Sequence, residues 1–136
     1  MSNVTNLVKP STEIEVKIRD IKITVRYPKS GEMIDIAVLK AKLSDHQYSS
    51  LFLQTSFEAP LALRLIDAYS FFQIMVPDIK KNLTLDSFYE LSVLDSLELI
   101  DVYENQILDW LNEWTETINK RVEELKSKSD KSKPLV

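Results

Sequence analysis

The sequence lacks cysteine, and among its 136 residues it has one glycine and one histidine. Without cysteine the chain cannot form disulfide bonds, thiol nucleophiles or thiolate metal sites. A phosphate-binding loop needs two or more glycines where the backbone approaches the phosphates, and Gly31 stands alone. These absences exclude thiol chemistry, P-loop nucleotide binding and the dinucleotide-binding fingerprint.

Long hydrophobic runs are also missing. The longest, around Ala68–Val76, is interrupted by Ser70 and Gln73 and falls well short of the ~20 residues of a membrane span. The N-terminal MSNVTNLVKPS has no signal-peptide apolar core. A net charge of -4 disfavours non-specific binding to nucleic acid. We therefore expect a soluble, cytoplasmic protein with no membrane or nucleic-acid partner.

Lysine and arginine are absent from residues 82–119, here called the base-free segment. Its nine acids are Asp86, Glu90, Asp95, Glu98, Asp101, Glu104, Asp109, Glu113 and Glu116. Two interpretations stay open. Bases elsewhere in the chain could face the acids across the fold, or the acids could steer a basic partner. The internal bases considered are Lys17, Arg19, Lys22 and Arg26.

The length suits a single domain over residues 13–125, between a flexible N-terminus at 1–12 and a disordered Lys/Ser-rich tail at 126–136. Two alternating apolar runs open the domain and predict half-buried strands. A tight turn at Arg19-Asp20 would place Ile18 opposite Ile21 and keep all apolar side chains on one face. A bulged strand across Asp20 is the alternative.

The next segments mix strand and helix signals. Ile34, Ile36 and Val38 alternate after the turn at Pro28–Gly31 and suggest a third strand, although the following leucines also permit a helix. Ser44 and Gln47 have capping-box spacing, which predicts a helix as far as about Gln54.

Helices dominate the remainder. A mostly apolar helix is predicted over Pro60–Met75, a connector over residues 77–85 and a short helix over Ser87–Val93. Asp95 and Glu98 should then open a long amphipathic helix. Its apolar stripe is Leu97, Ile100, Tyr103, Ile107, Leu111, Trp114, Ile118, Val122 and Leu125. The predicted fold is α+β: a small N-terminal antiparallel sheet of two or three strands packed against helices, ending in the long helix.

Catalytic chemistry has little support in these residues. His46 stands beside Asp45, a pair that can serve acid–base chemistry, but a solvated histidine in a helix's first turn is the commoner case. The acids show neither the Glu-x-x-His pairs of di-metal bundles nor EF-hand spacing. We therefore expect no enzymatic activity, no catalytic or metal-binding residue and no cofactor.

Trp110 and Trp114 lie one helical turn apart on the long helix, where tryptophan could serve the core or an interface hot spot. The stripe of Ile107, Leu111, Trp114 and Ile118 favours Trp114 as core, whereas Trp110 fits either role equally. The candidate partner-binding residues are Tyr103, Trp110, Leu111, Glu113 and Trp114.

Several segments together resemble a known family. They are the strand pair IEVKIRDIKITVRYP, the following IDIAVLKAKLSDHQYSSL, the buried helix, the connector PDIKKNLTLDSFYEL and the closing helix DVYENQILDWLNEW. Over about residues 13–118 the chain is similar to the phage tail assembly chaperones. The resemblance implies a non-enzymatic cytoplasmic protein that binds the tape-measure protein, keeps its apolar helices soluble and recruits tail-tube subunits. It also implies self-association and absence from the finished tail, and it transfers no individual site residue.

Two other classes compete with this interpretation. A structural virion component, such as a head–tail or baseplate adaptor, could use the same long helix for contacts in a homo-oligomeric ring. A small enzyme or nucleotide-binding regulator is disfavoured by the single glycine and single histidine.

Overall fold

A computed structural model describes the backbone of residues 10–132 and the side chains of residues 10–127. Two strands, β1 (Glu13–Ile18) and β2 (Ile21–Arg26), form an antiparallel hairpin. Helices follow in the order α1 (Ser30–Leu43), α2 (Tyr48–Leu53), α3 (Glu58–Met75), α4 (Ile79–Leu83), a 3-10 turn (Phe88–Glu90), α5 (Val93–Val102), a π segment (Tyr103–Ile107) and α6 (Leu108–Ser132). The predicted α+β class is confirmed, with two strands rather than three in the described residues.

The hairpin has the predicted register. Ile18 pairs with Ile21 and Val16 with Ile23, so the apolar side chains share one face. Arg19 and Asp20 have φ of 48° and 64°, as a two-residue turn with both central residues left-handed requires. The bulge considered at Asp20 is therefore wrong.

The predicted third strand is wrong, because residues 30–43 form helix α1. Glu32 stabilises its first turn by accepting hydrogen bonds from the Lys29 backbone N–H at 2.9 Å and from the Arg26 guanidinium. In a helix, Ile36 packs on the core while Ile34 and Val38 lie on the opposite side. The apparent alternation was thus produced by a helix that is apolar on both sides.

The predicted capping box at Ser44–Gln47 is also wrong. Ser44 ends α1 instead, since its hydroxyl donates to the Lys40 and Ala41 carbonyl groups. Asp45 and His46 then take left-handed conformations that reverse the chain. The predicted helix exists as α2, but its N-cap residue makes no side-chain capping bond.

Helix α3 is the predicted buried helix and forms the centre of the core. Its fully buried aromatic residues are Tyr69, Phe71 and Phe72. They belong to one hydrophobic core with Val16, Ile18 and Val25 of the sheet and the buried residues of α5 and the π segment. Burial of this set supplies the main driving force for folding.

The connector contains α4, and the predicted helix at Ser87–Val93 shrinks to a single 3-10 turn. The long helix begins earlier than predicted, because the Ser92 hydroxyl accepts from the Asp95 N–H at 3.1 Å and caps α5. It is continuous from residue 93 to residue 132, with the π segment between α5 and α6.

The boundary predicted for the disordered tail is corrected as well. The backbone stays helical past Lys126 to Ser132, consistent with the high helix propensity of lysine and its favourable place near a helix C-terminus. Of the predicted flexible N-terminus at residues 1–12, residues 1–9 lie outside the described residues, as do the last four residues of the tail. Thr12 is held by the fold, because its carbonyl oxygen accepts a hydrogen bond from the Tyr27 N–H at 2.8 Å.

Within the described residues no single helix has the length and apolarity to cross a membrane. Only a pair bent by 113°, Glu58–Met75 with Ile79–Glu90, has a suitable length and composition.

Candidate functional site

The two tryptophans are tied to the N-terminal lead-in of the sheet. Both indole N–H groups donate to the Ser11 carbonyl oxygen, Trp110 at 2.7 Å and Trp114 at 2.9 Å. The Tyr27 ring stacks on Trp114 with centroids 4.6 Å apart and meets Trp110 edge-on at 5.8 Å. This aromatic cluster fastens the hairpin to the long helix.

Burial separates the predicted partner-binding residues into two groups. Trp110 and Tyr103 belong to the core, at 7% and 8% exposed, which answers the question left open for Trp110. Trp114 and Leu111 are half-buried at the edge of the core, and Glu113 is exposed. Only the last three therefore have surface to offer a partner.

Bases from elsewhere in the chain neutralise part of the base-free segment. Arg19, at the hairpin turn, donates to Asp95 and to Glu98 at 2.6 Å and also to the Leu83 carbonyl at 3.0 Å. Arg64 of α3 donates two hydrogen bonds, of 2.7 and 2.8 Å, to the Glu104 carboxylate. These bonds lower the pKa of Glu104 and raise that of each arginine.

The other acids of the segment make no ion pair with the side chains that the structure describes: Asp86, Glu90, Asp101, Asp109, Glu113 and Glu116. The remaining bases considered, Lys17, Lys22 and Arg26, pair with acids outside the segment. Internal neutralisation thus accounts for three acids and leaves six facing solvent.

A small pocket beside Tyr103 contains ionisable side chains. It has a volume of about 200 Å³, and Lys40 approaches Asp67 to 3.1 Å at its wall. Tyr48 donates to Asp67 at 2.7 Å, and burial together with this bond raises the pKa of Tyr48 to about 12. Burial also raises the pKa of Tyr103. Both phenols therefore stay protonated at neutral pH and cannot act as bases.

His46 lies exposed in the turn between α1 and α2, in agreement with the solvated interpretation, although it precedes the helix rather than opening it. Among the described side chains no group of three or more acids or histidines is placed to hold a metal ion.

Helices α1 and α2 contain no buried residue, although both are rich in apolar side chains. The outer side of α1 presents Ile34 and Val38, 63% and 56% exposed. On α2 and the following turn, Phe52, Leu53 and Phe57 are 70% to 88% exposed. We call these five residues the α1–α2 surface. Large apolar side chains that lie together in solvent mark interaction sites, so the α1–α2 surface is a candidate for contact with a partner.

Two further apolar features lie on the helices, a groove and an exposed stripe. A groove of about 220 Å³ runs between α3 and α5, lined by Glu58, Leu61, Ala62, Leu65, Val93, Ser96 and Leu97. The sequence pattern assigned its leucines to helices but could not show that they line a groove between two of them. Farther along, the helical stripe continues beyond the core as Ile118, Val122 and Leu125, all exposed.

Comparison of the chain with protein-family models, with curated proteins and with solved structures found no match.

Proposed function

We propose that this protein is a non-enzymatic assembly chaperone of the kind found in tailed bacteriophages. It binds the tape-measure protein, and through it tail-tube subunits, during tail morphogenesis in the host cytoplasm. The observation that carries the proposal is the α1–α2 surface, whose large apolar side chains lie in solvent on helices without a buried residue. Such a surface suits the apolar face of a partner helix, which it would cover before the tail is assembled.

The chemistry of the site supports binding rather than catalysis. The side chains of the α1–α2 surface are aliphatic or aromatic and supply neither nucleophile nor base. Tryptophan is absent from it, so binding would depend on Phe52 and Phe57 as aromatic anchors.

The test is co-expression with the tape-measure protein encoded by the same genome. Replacing Ile34 and Val38 together by serine should reduce recovery of soluble complex at least ten-fold while the free protein keeps its stability. The control replaces Asp35, a polar exposed residue of the same helix outside the row of Ile34 and Val38, by serine and should bind normally. Equal recovery with the double variant and the control would remove the α1–α2 surface from the proposal.

A structural virion component forming a homo-oligomeric ring is the second candidate. The exposed stripe at Ile118, Val122 and Leu125 favours it, because a projecting apolar helix can make contacts between subunits. Mass spectrometry of purified virions separates the two candidates. The chaperone should be absent from finished particles, and stoichiometric amounts there would establish the structural role.

A further inference from the structure

The groove between α3 and α5 is apolar and small. Leu61 and Leu65 form one wall and Val93 and Leu97 the other, around a volume of about 220 Å³. Pockets for drug-sized ligands usually hold roughly 300–1,000 Å³, so this groove is sized for individual side chains of another protein segment.

The groove has acidic residues at its wall and near it. Glu58 lines it, and Asp101 follows Leu97 by one helical turn on the same side of the helix. Glu90 precedes Val93 by three residues in the chain. None of the three acids forms an ion pair with a described side chain, and Asp101 accepts only a hydrogen bond from Asn105. The nearest base in sequence, Arg64, is held by Glu104.

The far end of α6 has the complementary properties. Every described side chain from Ile118 to Ser127 is exposed, and Ile118, Val122 and Leu125 follow one another at steps of four and three. Arg121 and Lys126 flank this stripe, and Arg121 is engaged only by Glu124 at 3.7 Å. The end of the helix is therefore an apolar stripe with basic edges.

We propose that the distal part of α6 from one copy of the chain docks in the α3–α5 groove of a second copy. Apolar side chains of the stripe would enter the groove while Arg121 and Lys126 meet the surrounding acids. The contact cannot form within one chain, because Leu97 and Ile118 belong to one continuous helix and lie about 30 Å apart along its axis at 1.5 Å per residue.

The two surfaces differ, so each contact joins unlike surfaces; two copies can exchange helix ends reciprocally, or successive copies can build a closed ring or an open chain. The contact uses the stripe that favours the homo-oligomeric second candidate and names the surface it binds. It involves no tail component, so it does not depend on the proposed chaperone function.

Sedimentation velocity of the full chain over a concentration series tests the contact. Leu97→Lys in the groove and Val122→Glu in the stripe should each weaken association at least ten-fold. Their controls are Leu94→Lys, on the same helix but not lining the groove, and Asn119→Glu, on α6 but outside the stripe. Both controls should associate as the wild type does, and circular dichroism should show all four variants folded.

Mixing the two defective variants gives the sharper result. The Leu97→Lys chain keeps an unmodified stripe and the Val122→Glu chain keeps an unmodified groove. One contact can therefore form between the two variants, and the mixture should contain a dimer and no larger species. A mixture that stays monomeric overturns the heterologous contact, as does a wild-type chain that is monomeric at millimolar concentration. Association unchanged by ~1 M salt removes the charge complementarity on which the choice of partner rests.

Discussion

Trp110 and Trp114 donate their indole N–H groups to a single acceptor, the carbonyl oxygen of Ser11. A carbonyl oxygen has two lone pairs and can serve both donors. The shared acceptor fixes the strand that leads into β1 against α6, and Tyr27 closes the cluster from β2. Trp114, which the sequence pattern assigned to the core, and Trp110, for which it left core and interface open, thus hold the sheet to the long helix together.

The two tryptophans should differ in their contribution to stability. Trp110→Ala should lower the free energy of unfolding by about 3–5 kcal/mol, the range for removing a buried large aromatic side chain. Trp114→Ala should cost distinctly less, because that side chain is only partly buried at the edge of the core. Urea denaturation monitored by circular dichroism measures both losses. Equal losses would contradict the difference in burial.

The stacked pair of Tyr27 and Trp114 should show measurable coupling. A double-mutant cycle with Tyr27→Leu and Trp114→Leu is expected to give an interaction free energy of about 0.5–1.5 kcal/mol. The same cycle between Trp114 and Tyr69, which lies elsewhere in the core against Phe88, is the control and should be additive.

Arg19 should stabilise the attachment of the hairpin to α5. Arg19→Met removes its bonds to Asp95, Glu98 and Leu83 and should cost about 1 kcal/mol, a value reduced by the 35% exposure of the arginine side chain. The control Lys22→Met loses only a 3.9 Å pair between exposed groups and should be neutral. The difference between the two variants, measured by urea denaturation, should shrink at high salt.

The hairpin turn offers a stabilising substitution. Asp20 has φ 64°, where a β-carbon is unfavourable and glycine is preferred. Asp20→Gly should therefore raise the free energy of unfolding by about 0.5–1 kcal/mol. Lys22→Gly, in the strand, should lower it by a similar amount because glycine weakens strand interiors. Thermal unfolding of the two variants should shift the melting temperature in opposite directions.

Glu32 should make stability depend on pH in the acid range. Hydrogen bonds from Arg26 and the Lys29 backbone lower its pKa from 4.5 to about 2. A carboxyl whose pKa is depressed in the folded state stabilises the fold fully above its unfolded pKa. That contribution is lost as the pH falls from about 4.5 toward 2.

Glu32→Gln should therefore flatten the pH dependence of the unfolding free energy over that interval, measured by urea denaturation at successive pH values. Asp35→Asn, on the same helix with no ion pair among the described side chains, is the matched control and should leave the slope unchanged. An identical slope in the wild type and Glu32→Gln would show that the Arg26–Glu32 pair is not maintained in solution.

The local sequence pattern predicted an element correctly where one face of that element is buried. The register of Ile18 with Ile21 followed from alternation alone, because a shift of one residue would turn every apolar side chain to the wrong face. It failed at Ile34 and Val38, which are apolar without being covered, so the helix carrying them shows no single apolar stripe. It failed again at Ser44, since a serine between two helices can end the first or begin the second.

Less of the candidate site could be predicted from the sequence. The base-free segment can be seen directly in the sequence. The ion pairs of Arg19 with Asp95 and Glu98 cannot, because they join positions more than seventy residues apart. The groove exists only where Leu61 and Leu65 of α3 lie across from Val93 and Leu97 of α5, and no local pattern records which side chains of two helices meet.

The sequence by itself determined the α+β class, the hairpin, the central helix and the absence of thiol and phosphate-loop chemistry, because these depend on residue type and short-range periodicity. Tertiary structure alone decided which tryptophan is buried, which acids are neutralised and which apolar side chains stay in solvent. Burial and ion pairing depend on distances between elements far apart in the chain, and only the packed fold sets those distances.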